Sequence, residues 1–155
     1  MGTITSAMCG SFKAELAQAI HNFTITTGNV FKCALIKGSP TGTYGASNTN
    51  YSDLTGNSDE CSATGYSAGG FAWTAAQNIT PANTGANAYW SWSVSPSWTI
   101  SGGTLSAAGA LIYNSSASNK AVGVLSFGGT QTVTSGTFTI TLPSNAASTS
   151  VLQLN

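Results

Sequence analysis

Residues 90–98 read WSWSVSPSW, three tryptophans in nine positions separated by serines. In an extended chain alternate residues share a face. Trp90, Trp92, Val94, Pro96 and Trp98 then fall on one side, and Ser91, Ser93, Ser95 and Ser97 on the other. One buried face and one wet face produce this alternation. Phe71 and Trp73 repeat the same parity upstream. Pro96 has no N–H to give a ladder, so it interrupts the run, and Trp98 is expected on a separate strand or an edge. The competing reading makes Trp90, Trp92 and Trp98 a ring platform for a glycan. Such a platform needs only one or two exposed rings with polar partners, and strict alternation of three fits a core better.

Outward from this stretch the chain reads as successive short strands. Residues 71–78, 88–94, 97–100, 109–114, 120–127, 132–141 and 149–154 are the candidates. Ser101-Gly102-Gly103, Asn114-Ser115-Ser116, Gly128-Gly129 and Ser135-Gly136 separate several of them. Short strands at this spacing predict a mainly β fold, an antiparallel sandwich or jelly roll. Upstream, VFKCALIK at 30–37 is a further strand, with Phe31, Cys33 and Leu35 on one face. Residues 1–23 have helical spacing: Met8, Phe12, Leu16, Ala19 and Phe23 recur every three or four positions, with Thr5 or Ser6 placed to cap the start. The expectation is one N-terminal helix, residues 24–70 as a strand plus a long excursion, and 71–155 as a β-rich body, all in one domain.

The excursion, residues 38–70, is rich in Gly, Ser, Thr and Asn and carries Tyr44, Tyr51 and Tyr66. Loops this long are uncommon in compact domains and are usually functional. The helix stripe (Met8, Phe12, Leu16) and the three tyrosines are therefore the candidate interface residues, since a tyrosine offers both a ring and a hydroxyl to a partner.

Charge is scarce. Four lysines, four acids and no arginine make 5% of the chain, against about 25% in ordinary soluble domains. Apolar residues at 41% exclude a disordered chain. The surface lacks the cations that nucleic acid requires. It also lacks the net charge that keeps free monomers apart. A chain of this kind fits an assembly, where neighbours cover much of its surface; a secreted β-domain solvated by hydroxyls is the other reading. No run approaches 18 apolar residues, so no membrane span is expected, and the N-terminus shows no leader pattern. Cys9, Cys33 and Cys61 form no C-x-x-C pair and read as small buried thiols.

The chemistry-bearing residues do not assemble into a motif. His21 is the only histidine, at the end of the helical stretch, where a cation is favoured. The acids cluster only at Asp53, Asp59 and Glu60, without calcium-loop spacing. GxxxxGK[ST] is absent. No catalytic residues, cofactor or metal are expected, and the chain is read as a non-enzyme.

Several segments in order resemble a family of small uncharacterised, virion-associated structural proteins of tailed bacteriophages and prophages. They are ITSAMCGSFKAEL (4–16) with HNF (21–23), FKCALIK (31–37), TYGASNTNYSDLTGNSDE (43–60) with TGYSAGG (64–70), LSAAGALIYN (105–114), SNKAVGVLSFGG (118–129) and GTFTITLP (136–143). The resemblance implies a structural role in the virion, assembled in the bacterial host cytoplasm. With the neutral surface, the expectation is a capsid decoration or cement protein. It would act as a dimer or trimer, with the major capsid protein or other virion proteins as partners, and with neither nucleic acid nor membrane. The alternative is a tail or tail-fibre component that recognises a host glycan.

Overall fold

The structure is a computed structural model that describes all 155 residues. Its elements in chain order are β1 (Ala7–Met8), α1 (Gly10–Ala17), β2 (Phe31–Lys37), α2 (Ser52–Gly56), β3 (Phe71–Trp73), β4 (Ala82–Thr84), β5 (Asn87–Trp90), β6 (Ser97–Ile100), β7 (Leu105–Asn114), β8 (Lys120–Val133), β9 (Gly136–Thr139) and β10 (Leu152–Leu154). The fold is mainly β, with antiparallel sheets and a short N-terminal helix, as the alternation predicts. The main sheet has the order β1-β8-β7-β2-β3. A second sheet, β10-β5-β4, and a ribbon, β6-β9, complete the body.

The central β7–β8 hairpin turns at residues 115–119, where Ser118 and Asn119 take positive φ of 52° and 60°. β2 lies beside β7, from Phe31 opposite Asn114 to Lys37 opposite Ala107. Both faces of β2 are covered: Ala34 and Ile36 are as fully buried as Cys33 and Leu35. β3 pairs only with Phe31–Cys33. Beyond it, residues 59–61 take over the edge, with Lys37 N–H donating to Asp59 O and Cys61 N–H to Leu35 O. Gly70 lets the chain pass close to β2. Its φ is +75°, and a Cβ there would lie 1.9 Å from Cys33 O.

The aromatic side chains form one continuous series through the core. Phe23 stacks on Phe31 at 4.4 Å, Phe31 meets Trp92 at 5.6 Å, and Trp92 stacks on Trp73 at 4.3 Å. Trp73 meets Phe71, which meets Trp98, which meets Phe138. Phe23 also touches Trp90 at 5.5 Å, so β2 of the main sheet and β5 of the second share one interior.

Several sequence expectations are corrected. The helix does not span 1–23; it is confined to Gly10–Ala17. Ala7 and Met8 find strand partners in Val124 and Gly123, so their backbone is committed before the helix begins. Cys9 occupies the N-cap without a side-chain cap bond, so neither Thr5 nor Ser6 caps it. Ala19, at φ +57°, turns the chain so that His21 and Phe23 enter the core. Gly128-Gly129 is not a turn between two strands. β8 runs through it, and four residues, 127–130, lie opposite Ala108 alone. The segment 71–78 is strand only to Trp73, followed by a 3₁₀ turn at Ala75–Gln77 closed by a Thr74–Gln77 capping box. The segment 88–94 leaves its ladder after Trp90, so Ser91 is buried and Val94 is exposed, against the parity. Trp98 does lie on a separate strand, β6.

Trp92→Ala removes the ring between Phe31 and Trp73. The substitution is expected to destabilise the fold by about 3–5 kcal/mol, read from urea unfolding. A variant that unfolds with the wild-type midpoint would contradict the packing described here.

Candidate functional site

The acids that cluster in sequence do not converge on a shared site. Asp59 and Glu60 are neighbours on an extended stretch, where Glu60 bridges Ile36. Asp59 is fully buried. Its carboxylate accepts from Thr41 N–H at 2.9 Å, Gly42 N–H at 2.7 Å and Tyr44 O–H at 2.8 Å, and pairs with Lys37 Nζ at 2.8 Å. Burial pushes its pKa up, but the Lys37 and amide bonds outweigh this and hold it well below the usual range. Glu60 accepts from Tyr51 O–H, from Tyr66 O–H at 2.7 Å and from Gly69 N–H at 2.6 Å. Asp53 accepts from Thr49 N–H at 2.8 Å and Asn48 Nδ2 at 3.2 Å. Each acid holds a different part of the 38–70 excursion. That explains why a segment so rich in Gly, Ser and Asn is ordered without a ladder of its own. Nothing in the sequence pairs Asp59 with Thr41 and Gly42; only the fold brings them together.

The fourth acid anchors α1. Glu15 Oε1 takes Lys120 Nζ at 2.6 Å and Glu15 Oε2 takes His21 Nε2 at 2.8 Å. The other ring nitrogen, Nδ1, lies 3.0 Å from Asn114 Nδ2. That amide also donates to Asn29 Oδ1 at 2.9 Å, while its own oxygen accepts from Ser116 N–H at 3.0 Å. Asn114 is thereby oriented with its NH₂ towards the imidazole. Nδ1 must accept, so His21 is a neutral imidazole that donates from Nε2. It lies beyond the helix and is not a cation at a helix end. Burial is the largest influence on His21 and lowers its pKa, although the Glu15 hydrogen bond raises it. Burial raises the Glu15 pKa, but Lys120 and His21 reverse this and the net shift is down.

No nucleophile reaches this histidine, because both its nitrogens are occupied. Cys9, Cys33 and Cys61 are free and buried. Burial pushes the Cys9 and Cys61 thiols up to about 12 and Cys33 higher still, far from thiolate chemistry. Trp90, Trp92 and Trp98 are 3, 2 and 7% exposed, so they offer no ring face to a sugar. Trp73 Nε1 donates to Val94 O at 2.7 Å, whereas Trp90 Nε1, Trp92 Nε1, Ser91 Oγ and Asn78 Oδ1 have no protein partner.

The candidate interface residues are distributed as follows. Phe12 and Tyr44 lie inside the chain's own core. Met8, Leu16, Tyr51 and Tyr66 pack half-buried against it, and the hydroxyls of Tyr44, Tyr51 and Tyr66 are held by Asp59 or Glu60. The roomiest cleft, about 600 Å³, is lined by Leu16, Phe23, Ile25, Pro81, Trp90 and Leu154 among others. Ile25, 43% exposed, is one of three large apolar side chains left in the open. No known protein family, curated protein or solved structure matches the chain.

His21 has a folded pKa below its ordinary 6.5, so the unfolded chain takes up the proton first as pH falls. Glu15 is depressed below 4.5, and its contribution is lost as pH falls further. Both effects weaken the fold in acid. Urea midpoints are expected to hold above pH ~6.5 and fall below it, with a shallower decline in His21→Gln. An identical decline in the variant would place the acid sensitivity elsewhere. Denatured, unreduced chain is expected to take three alkyl labels and native chain to take them slowly; a single label would reveal a disulfide.

Proposed function

We propose that this chain is a non-catalytic structural protein of a tailed-phage virion, a decoration or cement protein seated on the head. One observation carries the non-catalytic part: all four acids, the only histidine and all three thiols face inward and are held or buried by the chain itself. What remains outside carries little charge: Lys13 and Lys32 are the lysines without an acid partner. From Cys61 to Asn155 the only charged side chain is Lys120, which is paired with Glu15. A surface of hydroxyls, amides and small apolar groups loses little hydration when another protein covers it, because few charges must be stripped of water. The virion assignment rests on the resemblance of the segments from 4–16 to 136–143. The mechanism is passive: a rigid β body adds many small contacts across neighbouring capsid subunits and resists the pressure of packaged DNA.

The contacts fall on the outer surface of this body rather than on free arms. Residues 1–8 are tied to the chain by Gly2 N–H to Pro40 O, Thr5 N–H to Tyr44 O and the β1 pairing. Removing residues 1–23 takes Cys9, Phe12 and Phe23 out of the core, so that deletion is expected to unfold the chain. The burial of Trp90, Trp92 and Trp98 leaves the glycan alternative without its proposed platform.

Purified protein mixed with heads that lack it is expected to bind in hundreds of copies and to raise the temperature of DNA release. Binding in tens of copies or fewer, at the tail, would replace the head assignment. Turnover of a glycan or peptide substrate, abolished by one point substitution, would overturn the non-catalytic reading.

A further inference from the structure

The longest unpaired strand edge in the molecule belongs to β8. Its inner side pairs with β7 on both sides of residues 127–130. On the outer side β1 reaches only Gly123 and Val124, and no strand covers Leu125–Val133. Ser126 N–H is met there by the Ser6 hydroxyl at 2.8 Å. Edges of this kind are usually guarded by lysine or proline. Here residues 121–142 contain neither, nor any other charge. Within Leu125–Val133 the irregularity at residues 127–130 bends the strand but leaves Leu125–Ser126 and Gln131–Val133 on the outside.

A trench accompanies the edge. Three adjoining hollows of about 260, 320 and 340 Å³ follow one another. The first two share Leu125 and Val151 among their walls, and the last two share Phe127 and Ile140. No charged side chain lines any of them. A partner that placed a charge here would lose its hydration with no counter-charge in return. The occupant is therefore an uncharged, extended segment. The chain's own β8 edge meets that description. Two identical strands paired antiparallel also obey a two-fold axis, and an isologous patch without charges meets no like-charge repulsion across that axis.

We propose that two copies of this chain associate across the outer edge of β8 and the trench beside it, forming a two-fold dimer. The pairing stands apart from the virion reading. A dimer that fails to bind heads overturns that reading alone, and a monomer that binds heads overturns the pairing alone.

The test is sedimentation equilibrium over a wide concentration range. Wild-type protein is expected to reach twice the 15.6 kDa chain mass. Gln131 is exposed on this edge, so charging it leaves the core intact. Gln131→Lys and Gln131→Glu are each expected to sediment as monomers with wild-type circular dichroism. Mixing the two is expected to restore the double mass. Ile25→Lys, in the cleft beside α1, is expected to remain dimeric. A monomeric wild type, or Gln131 variants that stay dimeric, would overturn the pairing. Loss of the dimer in Ile25→Lys alone would move the interface to that cleft and likewise overturn it.

Discussion

Trp92 lies flat against Trp73 at 4.3 Å and tilts onto Phe31 at 5.6 Å. Most of the architecture depends on that contact. Trp73 is on the last strand of the main sheet and Phe31 is on its neighbour β2. Trp92 sits just past the end of β5, in a stretch with no regular hydrogen-bonded ladder. The second sheet is short, three strands of three or four residues, and isolated sheets of that size have little stability of their own. Aromatic burial supplies what hydrogen bonding alone does not. Each ring removes a large apolar area from water, and the stacked and tilted geometries add a further fraction.

The polar interior follows a second constraint. Buried carboxylates must be hydrogen-bonded or paired. Asp59 and Glu60 meet that requirement by gathering donors from distant parts of the excursion, amides at 41, 42 and 69 and hydroxyls at 44, 51 and 66. Glu15 does the same between α1, His21 and the start of β8. In a chain with four acids, these inward-facing charges act as pins for irregular backbone. The outer surface is left with few charges, chiefly those of lysines.

The strand content, the burial of the tryptophans and the separate placement of Trp98 were legible, the last because Pro96 is a local break; the strict alternation in WSWSVSPSW was not kept, since the chain leaves its ladder after Trp90 and buries Ser91. The thiols were legible too, since odd, widely spaced cysteines without a partner motif read as buried side chains. The helix was misjudged. A stripe of apolar residues at helical spacing also arises when a strand residue (Met8), a helix residue (Phe12) and a loop residue (Phe23) all reach one core by different routes. The tyrosines of the excursion looked available to a partner because a sequence does not reveal that a carboxylate waits behind them.

By itself the sequence determined periodicity, composition and the scarcity of charge: a mainly β, antiparallel chain with buried tryptophans and few charges. These properties depend on residues close together in the chain or on simple totals. Only the tertiary structure decided that Asp59 meets Thr41 and Gly42, that His21 is held neutral between Glu15 and Asn114, and that β8 keeps an uncovered edge. Each depends on groups 6 to 93 residues apart meeting within hydrogen-bond range, or failing to meet. Hydrogen bonds act over about 3 Å, while local sequence patterns carry no information on which distant segments approach that closely.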